Sequence, residues 1–149
     1  MKGKIVSINI SDEKKKPKKP ISSGKLIENV GLEGDAYNKS GPRQISITSM
    51  ELLKEQTQCP RVGKGEDFIV GPGNFSETLT VEGMDLSAIN IGDVFTAGET
   101  KFRISMKGME CWEHCPWNKE KGECPLPKHF LFAEVIKSGE IKAGDGISS

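Results

Sequence analysis

Long apolar runs are missing from this chain. No window approaches the roughly 18 consecutive apolar residues of a membrane-spanning helix, so no membrane partner is expected. An excess of charge is missing too. The 21 Lys and Arg residues balance 21 Asp and Glu residues, so global charge predicts no nucleic acid or other polyanion as partner. There are two histidines and no Gly-x-Ser-x-Gly, which leaves little room for a serine hydrolase. No Gly-rich phosphate loop or dinucleotide fingerprint occurs, and nothing points to the paired carboxylates of glycoside chemistry. Met1 is followed by polar and charged residues without an apolar stretch. No secretory leader is therefore expected, and the expected compartment is the cytoplasm. Cysteines stay reduced there, which favours metal binding or catalysis over disulfides.

What is present is glycine, 17 residues, and proline, 8 residues, spread along 149 positions. The length suits a single domain, 1–149, around one core. Short Ile- and Val-rich runs between turn residues predict strands at 4–10, 43–48, 79–81, 101–105 and 131–136. The first of these is expected to alternate its faces, and the last to be a buried strand. Three X-Gly-Asp steps, at Gly34-Asp35, Gly92-Asp93 and Gly144-Asp145, are turn candidates, because Gly supplies positive φ and Asp bonds its own backbone. Segments 89–95 and 141–147 share the order Ile, Gly-Asp, apolar, without amounting to a repeat. Thr48-Ser-Met-Glu51 fits a capping box with Thr48 as N-cap, opening a helix that should stop before Pro60. A second short helix is expected near Asp85–Ile89. The whole reads as a strand-rich barrel or sandwich with one or two helices. The loop at 12–20, with five lysines, reads as a solvated loop or as one that faces an anion.

Three of the four cysteines, Cys111, Cys115 and Cys124, fall in one polar segment with His114, Trp112 and Trp117. Cys59 reads as a small buried apolar residue, and the two tryptophans as packing residues. A free thiol has a pKa near 8.5, and lowering it to about 7 takes roughly 2 kcal/mol of differential stabilisation. Arg43, Lys107, Lys128 and the loop lysines are candidates to supply it to Cys111. The competing reading is metal: Cys111, His114, Cys115 and Cys124 are ligand types that zinc prefers. Their C-x3-C-x8-C spacing lacks the paired C-x2-C knuckles of common structural sites and matches no common iron–sulfur run.

Several segments together resemble a known family. Gly31-Leu-Glu-Gly-Asp35, Arg43-Gln-Ile-Ser46, Phe75-Ser-Glu-Thr-Leu-Thr-Val-Glu-Gly83, Asp85-Leu86, Ile91-Gly-Asp93, Cys111, Ala133-Glu-Val135 and Gly144-Asp145 occur in the order seen in MOSC domains. These form the C-terminus of molybdenum cofactor sulfurases and also occur as stand-alone bacterial proteins. The match runs from about residue 4 to 147, and Pro17-Lys-Lys-Pro20 is similar to the family's Pro-Lys-x-Pro step. The departures are Phe75-Ser-Glu-Thr-Leu79 for the usual Phe-Gly-Glu-Asn-Leu, and Tyr37 where a His is common.

The resemblance implies a strand-rich β-barrel of the MOSC type with one or two short helices. It implies a module that binds molybdenum cofactor (molybdopterin) and carries or transfers sulfur as a persulfide on Cys111, a sulfurtransferase or sulfur carrier. Cys111 is also the implied molybdenum ligand. The implied cofactor contacts are Arg43, Lys18, Asp35 and Glu77, with Arg43 suited to a pterin phosphate through paired hydrogen bonds and Glu77 either a pterin contact or a structural carboxylate. Cys115 and Cys124 depart from the single-cysteine pattern and are candidate accessory thiols, which could resolve a persulfide, add metal ligands, or do neither. With no pyridoxal phosphate machinery on this chain, a separate cysteine desulfurase is the expected sulfur donor, and a molybdoenzyme or its cofactor the acceptor. The alternatives are a molybdenum cofactor-dependent reductase of N-hydroxylated compounds and a non-catalytic Cys/His zinc module.

Overall fold

The computed structural model describes residues 1–14, 16, 18–55, 71–109 and 125–149. Cys59, Cys111, His114, Cys115 and Cys124, both tryptophans and the expected helix stop before Pro60 lie outside the described residues.

Within them the chain is mostly strand. In order these are β1 (Lys2–Ile10), β2 (Lys19–Ile21), β3 (Ser23–Ile27), β4 (Gly31–Leu32), β5 (Ile45–Ser49), β6 (Leu79–Glu82), β7 (Val94–Ala97), β8 (Thr100–Lys107), β9 (Leu131–Lys137), β10 (Gly139–Lys142) and β11 (Gly146–Ser148). Two short helices, α1 (Met50–Glu55) and α2 (Pro125–Lys128), accompany one 3-10 turn at Leu86–Ala88. Seven strands close into a β-barrel in the order β1-β6-β5-β9-β8-β7-β11, with β11 pairing back onto β1 and β2 added to the outer edge of β1. Closure removes the unpaired edges that an open sheet of this size would expose. A three-stranded sheet, β10-β3-β4, lies beside it. All neighbouring barrel strands run antiparallel except β5 and β6, which are parallel, so the chain must cross over between them.

The barrel interior is filled by Ile5, Ile8, Ile45, Ile47, Leu79, Val81, Phe102, Ile104, Ala133 and Val135, each at most 2% exposed. Phe95 and Phe102 stack across β7 and β8 with centroids 6.0 Å apart. The simple alternation expected of β1 does not hold. Ile5 pairs with Val81 and Ser7 with Thr80, which leaves Val6 as an extra residue in a β-bulge. The bulge brings Ile5 and Ile8, three positions apart, to the same buried face, where a regular two-residue period would have put them on opposite ones.

The helix cap also differs from expectation. Ser49, not Thr48, is the N-cap: its Oγ accepts from the Leu52 amide at 3.2 Å. The β5–β6 ladder runs through Thr48↔Thr80 to Ser49↔Val81, so Thr48 is still held extended and the helix starts only where the ladder ends. Glu51 turns away from its own helix and accepts from the Gly83 amide at 2.9 Å. The three X-Gly-Asp steps are turns, with φ of 84° at Gly34 and 97° at both Gly92 and Gly144. In two of them the Asp carboxylate caps the amide three residues back, Asp93 to Asn90 and Asp145 to Lys142, both at 2.8 Å. The 3-10 turn at Leu86–Ala88 occupies the place expected for a second helix, with Asp85 as its N-cap.

Deleting Val6 should remove the bulge and leave Ile5 and Ile8 two positions apart, still on one buried face with the same partners on β6. The deletion should therefore cost clearly less than Ile5→Ala, which empties the site at about 2–5 kcal/mol, both read as urea midpoints, and a deletion as damaging as Ile5→Ala would show that the bulge does not set the register.

Candidate functional site

The wall formed by β5 and β9 has two uses. Ser46 and Phe132 are directly paired, with Ile45↔Ala133 and Ile47↔Leu131 on either side. Successive strand residues face opposite ways. The flanking pairs therefore fill the barrel, and Ser46 and Phe132 face outward as the floor of a cleft. That cleft encloses about 290 Å³, room for one small molecule.

Its walls come from four other places. The 35–44 loop supplies Asp35, Tyr37, Lys39, Arg43 and Gln44; the turn before β6 supplies Phe75, Ser76 and Thr78; Met109 and Phe130 stand at one side and Lys18 at another. The aromatic floor is organised, with Phe130 and Phe132 edge-to-face at 5.4 Å. The Arg43 guanidinium lies 4.7 Å from the Phe132 ring centroid, a cation–π contact. No ion pair among the described residues uses Arg43. Arg43 and Lys39 are both exposed at the mouth.

Lys18 and Asp35 form a buried pair, whereas Lys14, Lys16 and Lys19 in the lysine-rich loop are exposed. Their side chains are 2% exposed each, and Nζ lies 2.7 Å from Oδ2. Oδ1 accepts from the Ser11 amide at 3.0 Å, and Nζ sits 5.4 Å from the Tyr37 ring centroid. Asp35 belongs to the first X-Gly-Asp turn, whose backbone closes like the other two, with its amide bonded to the Leu32 carbonyl at 3.1 Å. Here the carboxylate does not cap that turn. It holds Lys18 and the Ser11 amide at the wall of the cleft.

Glu77 is fully buried and does not line the cleft. Oε1 accepts from the Phe75 amide at 3.2 Å and Oε2 from the Thr80 hydroxyl at 3.0 Å. It thereby anchors the turn that presents Phe75 and Ser76. Desolvation raises its carboxyl above the ordinary 4.5, outweighing hydrogen bonds from nearby backbone amides and Thr80. The turn bends at Ser76, whose φ is 62°. Glycine takes that left-handed conformation without strain, which accounts physically for the family's usual Gly at this position. Thr78, in place of the usual Asn, accepts from the Ser46 amide at 3.0 Å.

Of the residues singled out in the sequence, Lys18, Asp35 and Arg43 meet at this cleft, and Glu77 lies behind its wall. Lys39, Gln44, Phe130 and Phe132 were not singled out as site residues. Phe132 was hidden in an apolar run that reads as wholly buried, although Glu134 in the same run pairs with Arg103 on the outside. A larger groove of about 370 Å³ lies beside α1 and the 3-10 turn. Glu51, Glu55 and Asp85 line it with His129, and Ser87 holds the exposed Asp85 carboxyl below its usual range by side-chain and then backbone hydrogen bonds. Its acidic lining is unsuited to an anion. Among the described residues no three His, Cys, Asp or Glu side chains gather to hold a metal ion, and no helix is long and apolar enough to cross a membrane.

A family model described as the MOSC domain matches residues 35–148. Among solved structures, the chain resembles the YUAD protein from Bacillus subtilis, with a TM-score of 0.73 and 18% identity over 99% of this chain and 94% of that one. It also resembles YiiM from Geobacillus stearothermophilus, with a TM-score of 0.68 and 21% identity over 97% and 73% of the two chains. For YiiM from Escherichia coli the values are 0.63 and 20% over 100% and 70%. These likenesses are of fold. No curated protein matches the chain.

Two outcomes are expected. Lys18→Met leaves the Asp35 carboxylate buried without its cation and should cost about 3–5 kcal/mol, most of it regained in Lys18→Met/Asp35→Leu; an undiminished deficit in the double variant would contradict the pairing. The Glu77 carboxyl is raised, so between 4.5 and its folded value the native state holds a proton that the unfolded chain releases. Stability contributed at this site is therefore present below that window and falls as pH rises through it. Glu77→Gln removes the slope, so its unfolding free energy relative to wild type should improve from pH 4.5 to pH 8. Parallel denaturation curves at the two pH values would refute this.

Proposed function

Because the chain belongs to the MOSC domain family, we propose that its cleft binds a pterin-type molybdenum cofactor and that Cys111 carries sulfur beside it. The observation that supports this reading is the Arg43 guanidinium over Phe132, without an ion pair among the described residues, at the mouth of an aromatic-floored cleft. The residues present fit such a group by their chemistry. Arg43 and Lys39 offer donors to a terminal phosphate, with Arg43 suited to paired hydrogen bonds. Phe75, Phe130 and Phe132 offer flat apolar surface to a ring system. The volume of about 290 Å³ suits a small ligand and not a macromolecule.

Support for Cys111 is adjacency in sequence: Met109 lines the cleft, and Cys111 follows two residues later. The Cys111 thiolate attacks the outer sulfur of a persulfide on a separate cysteine desulfurase. The donor cysteine leaves as thiolate, and the new Cys111 persulfide holds the sulfur without net redox change. When bound, the cofactor supplies a metal centre that accepts sulfur. Arg43 and Lys39 hold its phosphate end, and the phenylalanines shield the ring face from water. The expected place of work is the cytoplasm, with a molybdoenzyme receiving the finished cofactor.

Arg43→Ala should weaken cofactor binding about 10- to 100-fold, the loss of one charge-assisted bidentate contact. Cys111→Ala should abolish persulfide labelling after incubation with a cysteine desulfurase while leaving cofactor binding measurable. Equal labelling in the variant overturns the carrier role. Turnover of a hydroxylamine compound by metal-loaded protein, without any persulfide, would favour the reductase instead.

A further inference from the structure

Arg43 is exposed, on a turn, and flanked by Gly41 at φ 111°. A long side chain in that setting ordinarily samples many rotamers, and ordering it carries an entropic cost. Its guanidinium nevertheless rests over Phe132. The residue next to it explains how the backbone is held. Gln44 is 3% exposed, and every polar atom of its carboxamide is used. Oε1 accepts from the Val135 amide on β9 at 2.9 Å. Nε2 donates to Gly41 O at 3.0 Å and to Asn29 Oδ1 at 3.2 Å. The Ser105 hydroxyl on β8 adds a bond to the Pro42 carbonyl. Gly31 packs so closely on the Gln44 carbonyl that a Cβ there would collide with it. Val135 and Phe132 belong to the same strand. The side chain that fastens the turn and the ring that receives Arg43 therefore share one rigid element.

We propose that Gln44 is the positioning residue of the cleft: its carboxamide clamps the 41–44 turn to β9 so that Arg43 is preorganised over Phe132 as an anion receptor. Preorganisation moves the ordering cost of Arg43 into folding, so that an arriving anion does not bear it. The anion-receptor half of the inference rests on the function proposed above; the clamp itself does not.

The test uses the full chain, with Gln44→Met as a neutral variant of similar length and Asn29→Gly as a milder one. Asn29 sits at φ 59°, so glycine keeps the backbone and removes only one acceptor of the clamp. The first readout is the ring-current shift that Phe132 imposes on the Arg43 side-chain resonances. It should collapse in Gln44→Met and shrink in Asn29→Gly. The second is titration with inorganic phosphate. Gln44→Met should lose about tenfold in affinity, as Arg43→Ala does, and should add no further loss to Arg43→Ala. A ring-current shift unchanged in folded Gln44→Met overturns the proposal. If that variant does not fold, an unchanged shift in Asn29→Gly does so. Wild-type protein that ignores phosphate would refute the anion-binding reading while the ring-current measurement still decides the role of Gln44.

Discussion

The two-residue period of the β5–β9 wall is the constraint on which the rest of the molecule depends. Because successive side chains on a strand must face opposite ways, one pair of strands lines both the barrel interior and the cleft. Ile45, Ile47, Leu131 and Ala133 fill the first; Ser46 and Phe132 floor the second. Core and site are thereby locked in register. A one-residue slip would bury Ser46 among aliphatic side chains and expose the isoleucines. The bulge at Val6 serves the same constraint on β1, two strands from β5, where it rescues a strand whose sequence does not alternate cleanly.

The cleft is framed by buried polar groups, each of them satisfied. Lys18 and Asp35 neutralise one another, Glu77 receives an amide and a hydroxyl, and Gln44 has partners for all its polar atoms. Such groups stabilise little compared with apolar residues of equal size, and they are costly when half-paired. What they add here is geometry. Each joins a loop to a strand or to another loop, so the walls of the cleft are held by directional bonds. The exception among the described residues is Thr48 Oγ1, which is buried without a partner; it stands where the strand ladder took the residue that the local pattern would have used as a helix cap.

The three X-Gly-Asp turns show how far local reading goes. Their glycines adopt positive φ as the residue type demands, and two of the aspartates cap their own turns. Nothing local distinguishes Asp35 from Asp93 and Asp145, yet its carboxylate leaves its turn for Lys18, 17 residues earlier. The lysine loop has the same character. Its composition reads as one solvated stretch, but Lys16 is exposed beside Glu13 while Lys18 is buried. The family motifs brought Lys18, Asp35 and Arg43 into view together. They did not separate Arg43, which makes no ion pair among the described residues, from Lys18 and Asp35, which are engaged with each other, and they did not reveal that Glu77 stands behind the wall.

By itself the sequence determined five of the eleven strands, β1, β5, β6, β8 and β9, together with the glycine turns and, through motif order, the family and its barrel, because residue type, period and motif order are local or cumulative properties of the chain. Only the tertiary structure decided which face of each strand looks inward, where the helix cap falls, which charges cancel and which aromatic ring receives Arg43. Those outcomes depend on strand register and on contacts between residues such as Gln44 and Val135, 91 positions apart, where no short-range pattern carries the information.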